Sequence, residues 1–390
     1  KAAVATESIN RKQGQLEMPQ IITDSLSPSF AQEVMSLSTE LAIKRIQKKQ
    51  RWELTLKRSD VWLSPTMKEQ TLNNRHYAYF LPAAFWERDF KAGTRVRLSY
   101  NTKITTPNTT QLLPVTDYRN PLMLTRGNPN LVPEYNHTAN ALYTSFDQFN
   151  MATFAASLRG SYTKDNIGYS RSITADLAQQ LEFVNTPYEW SGQLDLSYSR
   201  PVKRIGLNID VRINERWTQS IHPVNQVNNR NNTLSHTLDL SFSKIKSDVL
   251  DLRWGGVLNF SDSRYSINKE MNNQYNNYSG FVQLGYRPHV NWNMSVSGDI
   301  THYTARSFDQ SLTIPLLHAE LSRYIFANQR GAISLKAFDL LDKNKAIQRS
   351  SQLNYLMERS SNTIGRYVML SLSYRLNKAG NTPGSIKLQR

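Results

Sequence analysis

Apolar and polar residues alternate along most of this chain with a period of two. Trp52, Leu54 and Leu56 alternate with Glu53, Thr55 and Lys57, and Ile205, Leu207, Ile209, Val211 and Ile213 with Asn208, Asp210, Arg212 and Asn214. The pattern returns at Leu234 to Phe242, Leu250 to Phe260, Trp292 to Ile300 and Val368 to Leu376. A period of two sends successive side chains to opposite faces of a β-strand, so each stretch predicts a strand with one apolar and one polar face. Between residues 33 and 376 the pattern predicts about fifteen strands. Residues 1 to 30 are polar without the alternation and predict a terminal segment or loop.

The connections alternate as well. Short turns are predicted at 47–50, 91–94, 147–150, 201–204, 244–248, 287–290 and 327–330. Long polar loops are predicted at 67–74, 108–133, 172–187, 222–231, 262–274 and 340–362, and only 307–311 breaks the series by being short. Such parity belongs to an antiparallel up-and-down meander with tight turns at one end and long loops at the other. No apolar run reaches the roughly 18 residues of a membrane-spanning helix, whereas a tilted strand crosses in about 9–11. An open sheet in lipid would leave edge N–H and C=O groups bare, so the expected fold is an all-β, closed transmembrane β-barrel. Trp52, Tyr198, Phe242, Tyr286, Trp292 and Tyr374 lie on the apolar face beside the short turns, where a membrane-interface aromatic belt would sit. Single-chain bacterial barrels have even strand numbers, so about fifteen implies an incomplete barrel or one hairpin unrecognised.

One connection differs from the rest. In 108–134, Asn128-Pro129 and Val132-Pro133 fix φ twice within a few residues and bias Asn128 and Val132 to extended backbone. The run is a stiff, stepped turn that needs a surface to pack on. It reads either as an ordinary ordered loop or as a functional one. From Pro107 through Gln111, Leu112, Asp117, Asn120 and Pro121 to Gly127-Asn128-Pro129-Asn130-Leu131-Val132-Pro133-Glu134, it resembles the signature of TonB-dependent outer-membrane receptors, in particular the outer-membrane β-barrel family. Asp339-Leu340-Leu341-Asp342-Lys343-Asn344 and Arg366 to Leu376 also resemble that family's closing strands.

The resemblance implies a twenty-two-stranded barrel preceded by a plug and an energy-coupling box, neither of which is similar to anything before residue 30. Domain boundaries are then a polar segment at 1–30, an outer-membrane barrel at 31–377 and a basic tail at 378–390. The implied function is active uptake of a bulky nutrient, a siderophore, cobalamin or glycan, with this chain the C-terminal barrel part. Its partners would be outer-membrane lipid, the ligand, and a TonB-type energy supply acting through the plug. The alternative is a self-contained passive porin or adhesin. The tail departs from the family pattern, since many such barrels end on an aromatic residue.

Composition changes this picture little. There is no cysteine among 390 residues, which excludes disulfides and thiolate metal sites. Mean hydropathy of −0.54 suits a soluble protein and equally a barrel with a polar lumen. The formal charge of +16 first suggests nucleic acid, but the basic residues recur singly along strand faces, as at Arg95, Arg97 and Lys103, or in turns, as at Lys48 and Lys49. A basic lumen or basic rims explain that spacing better, and no nucleic-acid partner is expected. The first twenty residues contain no apolar signal-peptide core, which an outer-membrane protein needs, so the chain reads as mature or as a fragment.

No enzyme is expected. The histidines at 76, 137, 222, 236, 289, 302 and 318 have no metal-ligand spacing, and no nucleophile elbow or phosphate loop occurs. No cofactor and no metal follow from the sequence. Asp339 and Asp342 flank a strand end and read as turn carboxylates bonding backbone N–H groups, with a cation as the alternative. Candidate ligand contacts are Asn225, Asn228, Asn229 and Arg230 in one polar loop and Asn272, Asn273, Tyr275 and Tyr278 in another. Amides donate and accept in pairs and tyrosine adds a flat apolar face, which suits a glycan or chelate.

Overall fold

The structure, a computed structural model, describes residues 2–10, 29–67, 70–71, 74–91, 93–118, 123–173, 179–245, 248–267, 269–304, 310–326, 329–344, 346–352, 355–361 and 364–375. The strands are β1 (Ala2–Asn10), β2 (Ser29–Gln47), β3 (Gln50–Met67), β4 (Gln70–Thr71), β5 (Arg75–Lys91) and β6 (Thr94–Thr105), then the one-turn helix α1 (Thr109–Leu112). After it come β7 (Thr116–Asp117), β8 (Met123–Arg126), β9 (Glu134–Asp147), β10 (Ala152–Ile173), β11 (Gln179–Val202), β12 (Leu207–Val224), β13 (Val227–Lys244) and β14 (Leu250–Tyr265). The chain continues through β15 (Asn273–Tyr286), β16 (Trp292–Tyr303), β17 (Leu312–Ile325), β18 (Gly331–Phe338), β19 (Ala346–Gln352), β20 (Tyr355–Ser361) and β21 (Tyr367–Tyr374).

Nineteen of these form one sheet, and β19 and β20 pair separately as a hairpin within the last long connection. Leaving out the short pieces β4, β7 and β8, the other sixteen run as a single antiparallel meander in chain order from β1 to β21. The sixteenth strand is β1, which pairs with β2 from Ala2 opposite Leu37 to Asn10 opposite Ser29. The polar N-terminal stretch was expected to be a terminal segment or loop without a strand; strand pairing needs only backbone groups, so polar side chains do not prevent it. Among the described residues β1 and β21 are not paired with one another, so the meander is not closed there.

The sheet is inside out relative to a soluble protein. On β13, Leu240 is 38% exposed while its neighbour Ser241 is 5% exposed. The register carries each apolar position opposite another, as with Val211, Leu240 and Gly256, so the apolar residues share one face. The polar face is knitted by cross-strand side-chain bonds: Ser161 with Ser191 at 2.6 Å, Thr237 donating to Asn259 at 2.8 Å, and Ser322 with Ser334 at 2.7 Å. A membrane barrel demands this arrangement, apolar toward lipid and polar toward the lumen. All six aromatics expected beside the short turns fall on the apolar face by register. No helix among the described residues is long and apolar enough to cross a membrane, so crossing falls to the strands.

Two predicted long loops are largely strand and a third is partly so. Strands β10 and β11 run for 22 and 24 residues and take in most of 172–187. Strands β12 and β13 meet in a two-residue turn at Asn225-Gln226, both with positive φ (47° and 68°), and β14 and β15 take in much of 262–274. About 9–11 residues suffice to cross the hydrocarbon, so these hairpins stand well beyond it. With water on both sides the alternation fades, and with it the sequence signal for a strand.

Candidate functional site

The connection between β6 and β9 folds onto the polar face at the long-loop end and builds the main apolar cluster there. Leu112, Leu113, Val115 and Leu131 pack with Phe30 of β2 and Phe183 of β11, with Met67 and Ile167 at the edge. Pro107 and Pro133 are fully buried. This is where inward positions turn apolar: Val61 and Leu63 on β3 are buried on the face that carries Arg51, Glu53 and Lys57 nearer the short turns.

Local chemistry fixes the path. Asn108 caps α1 by accepting from the Gln111 N–H, and the Gln111 side chain accepts from the Asn108 N–H, both at 2.9 Å, a reciprocal capping box. Gly127 donates to the Leu113 carbonyl at 3.0 Å and Asn128 to the Gln111 carbonyl at 2.7 Å. A Cβ on Gly127 would stand 2.3 Å from the Leu113 oxygen and 2.7 Å from its nitrogen, so the two backbones approach because this residue has no side chain. The Asn128 carboxamide oxygen accepts from the Asn130 N–H, and its nitrogen donates to the Phe183 carbonyl. Pro129, between them, cannot donate, and none is required of it. Glu134 accepts from the Ile167 N–H at 2.7 Å. Asn120 and Pro121 lie outside the described residues.

Three fastenings were not anticipated from sequence. Asn185 accepts from the Val132 N–H at 2.8 Å and donates to the Val132 carbonyl at 3.0 Å, a side chain standing in for a neighbouring strand. It also donates to the carbonyl of Asp165, which has a left-handed φ of 55° opposite Pro187. Arg75 donates to the Leu131 carbonyl and the Asn130 side chain. The signal that could have found Asn185 is an amide close before Pro187, where β11 must lose a ladder bond and the partner strand's carbonyl needs another donor.

Nearer the short turns the polar face of β2, β3, β5 and β6 carries a charged cluster around a cavity of about 240 Å³, lined among others by Lys44, Arg51, Glu53, Phe85 and Asn101. Glu87 accepts from Arg97 at 2.7 Å and pairs with Arg51 at 3.3 Å, and the Arg51 guanidinium lies 4.6 Å above the Phe85 ring. Lys44 pairs with Glu53 at 3.8 Å and Arg95 with Asp89 at 2.7 Å.

The eight candidate ligand residues lie at adjacent hairpin tops but not on one surface. Asn225 donates to the Arg171 carbonyl and accepts from the Ile173 N–H, pinning its turn to β10. Asn229 is buried, its side-chain oxygen accepting from Ser266 and Ile267. Asn272 accepts from the Tyr265 N–H. Tyr275 contacts Tyr303, Asn273 is engaged within the chain, and Tyr278 stacks on His302. Asn228 and Arg230 lie in β13 beside the turn, opposite Pro223 and Ile221. Asp339 is buried and accepts from the N–H groups of Lys343 and Asn344, the local turn geometry read from sequence, whereas Asp342 accepts from the N–H of Arg366 at the start of the last strand's approach and not from its own turn.

A family model described as the outer membrane protein beta-barrel family matches residues 50–374. No curated protein matches the chain. Among solved structures it is similar to the open form of the ferric-catecholate import receptor Fiu from E. coli K12, with 9% identity, a TM-score of 0.41 and coverage of 96% of this chain and 65% of that one. It is also similar to the outer membrane transporter YddB from Escherichia coli, with 10% identity, a TM-score of 0.30 and coverage of 96% and 75%. The chain thus spans 65% of the length of the first.

Proposed function

The chain belongs to the outer membrane protein beta-barrel family, and from that premise we propose that this wall of the bacterial outer membrane serves energy-coupled uptake of a bulky nutrient. The nutrient is of the siderophore, cobalamin or glycan class. The observation that carries the reading is the pair of stretches 107–118 and 123–134, held against the polar face at the long-loop end, where an ordered constriction in a closed ring could select what enters. A passive pore needs no such structure.

On this reading a ligand meets the hairpin tops first and then the polar wall. The Lys44, Arg51, Glu87 and Arg97 cluster gives that wall fixed charges near the periplasmic turns, against which a plug can seat and from which it can be withdrawn. The edges of β1 and β21, unpaired among the described residues, take up the remaining strands of the ring. TonB-type coupling through the plug supplies the work.

The test is accumulation of labelled cobalamin, a ferric catecholate and an oligosaccharide by cells with and without the full-length protein, each with and without a protonophore. Uptake of one that needs the protein and collapses with the protonophore is expected. Entry that needs the protein but survives the protonophore would overturn energy coupling and leave a porin.

A further inference from the structure

Charge is divided unequally between the two ends of the strands. Among the described residues the seven short connections hold Lys48, Lys49, Lys203, Arg204, Arg287 and Arg330 against one carboxylate, Asp248. Outside strands, the long connections are balanced, with Lys269, Lys343 and Arg366 against Glu270, Asp339 and Asp342. Lys48, Lys49, Lys203 and Arg204 are exposed, and no carboxylate among the described residues pairs with them. The short turns of an outer-membrane barrel face the periplasm, so the excess positive charge is presented there.

The same turns lift apolar side chains into solvent. Phe149 is 84% exposed and Val290 71%, and Ile205, on the turn from β11 to β12 between them, is exposed as well. Each of these tips is fixed. Asp147 accepts from the Phe149 N–H at 2.9 Å and from the Asn150 side chain at 2.7 Å. The Ile205 N–H donates to the Val202 carbonyl at 3.1 Å, and Gly206 completes the turn with a φ of 70°. The Gln329 side chain, from the next short turn, donates to the Val290 carbonyl at 2.7 Å.

Lipid does not cover these tips. Tyr143 and Tyr198 lie on the outward face, each four residues before its strand ends at Asp147 and Val202. Four residues are roughly 13 Å along a strand, or about 9 Å along the membrane normal at a tilt of about 45°. The headgroup layer on one side of a bilayer is only about 5–8 Å thick. The turns therefore stand beyond it, in water. From the turn of Phe149 to that of Val290 there are three steps of two strands each, about 30 Å in all, which is the width of a small domain. A carbohydrate or peptide polymer of the cell wall would match the cations and leave the apolar tips in water, whereas a protein surface with carboxylates and apolar side chains matches both.

We propose that these turns form a docking surface for an acidic protein of the periplasm, its carboxylates set against Lys203, Arg204 and Arg287 and its apolar side chains covering Phe149, Ile205 and Val290. The inference rests on the outer-membrane placement and not on uptake, so failure of one leaves the other standing.

The test is made in cells carrying the full-length protein, with p-benzoylphenylalanine in place of Phe149 or Val290. Photo-crosslinking follows an arrest of protein synthesis, so that factors of assembly no longer contribute. A protein adduct is expected, and its partner, identified by mass spectrometry, should carry net negative charge at neutral pH. Lys203→Gln, Arg204→Gln and Arg287→Gln together should lower the adduct yield at least about fivefold, in protein that still migrates as a folded barrel on unheated gels. Should the triple variant not fold, Lys203→Gln with Arg204→Gln should lower the yield in the same direction. No adduct, adducts to phospholipid or cell-wall fragments alone, a partner of net positive charge, or an unchanged yield in folded variants would overturn the docking surface.

Discussion

At the scale of single residues, the 107–134 segment is held by small, replaceable features. Gly127→Ala drives a Cβ into three backbone atoms of Leu113 and Gln111 that have nowhere to move. A loss of about 1–3 kcal/mol is expected, read as earlier thermal unfolding and faster proteolysis of the segment. Unchanged cleavage would show that the close approach does not matter. Asn185→Ala strands the Val132 N–H and carbonyl together, and should cost about 1–3 kcal/mol for each group left unsatisfied. Asn185→Asp keeps an acceptor for Val132 but gives up the donor, so it should fall between the two. The sequence made the stiffness of this segment legible through its two prolines. Its partners were not legible, because Asn185 and Arg75 lie 53 and 56 positions from the residues they hold.

At the scale of elements, alternation read the membrane-crossing parts of the strands well and their extensions poorly. Inside lipid, a strand must be apolar on one side and can be polar on the other, so Leu234 to Phe242 announces itself. Above lipid both faces are wet, and Asn228, Asn229 and Arg230 pair in β13 without any apolar rhythm. The amides there are candidate ligand contacts by composition, and in the structure Asn225, Asn229 and Asn272 hold turns. Asn229→Ala is therefore expected to loosen the adjoining 266–267 backbone, seen as faster amide exchange there; unaltered exchange would contradict that role. The two faces can be told apart in one strand. Leu240→Arg, on the outward face, should cost about 2–4 kcal/mol in lipid, whereas the adjacent Asp239→Asn, on the lumen face, should stay within about 1 kcal/mol. Equal losses at both positions would contradict the inside-out wall.

At the scale of the whole molecule, sixteen meandering strands make a polar-lined wall with two outer edges unpaired among the described residues, and the connection between β6 and β9 packs on its polar face at the long-loop end. Strand parity made the architecture legible before any coordinates, but the count fell one short because β1 carries no alternation. The central claim is that this wall works as the C-terminal part of a larger, plug-bearing receptor. Its most direct test is the size of the native protein in an outer-membrane fraction, detected with an antibody to residues 378–390. A band near twice the 44.8 kDa of this chain is the predicted result. A band near 44.8 kDa in the same fraction would contradict it and leave a small passive barrel.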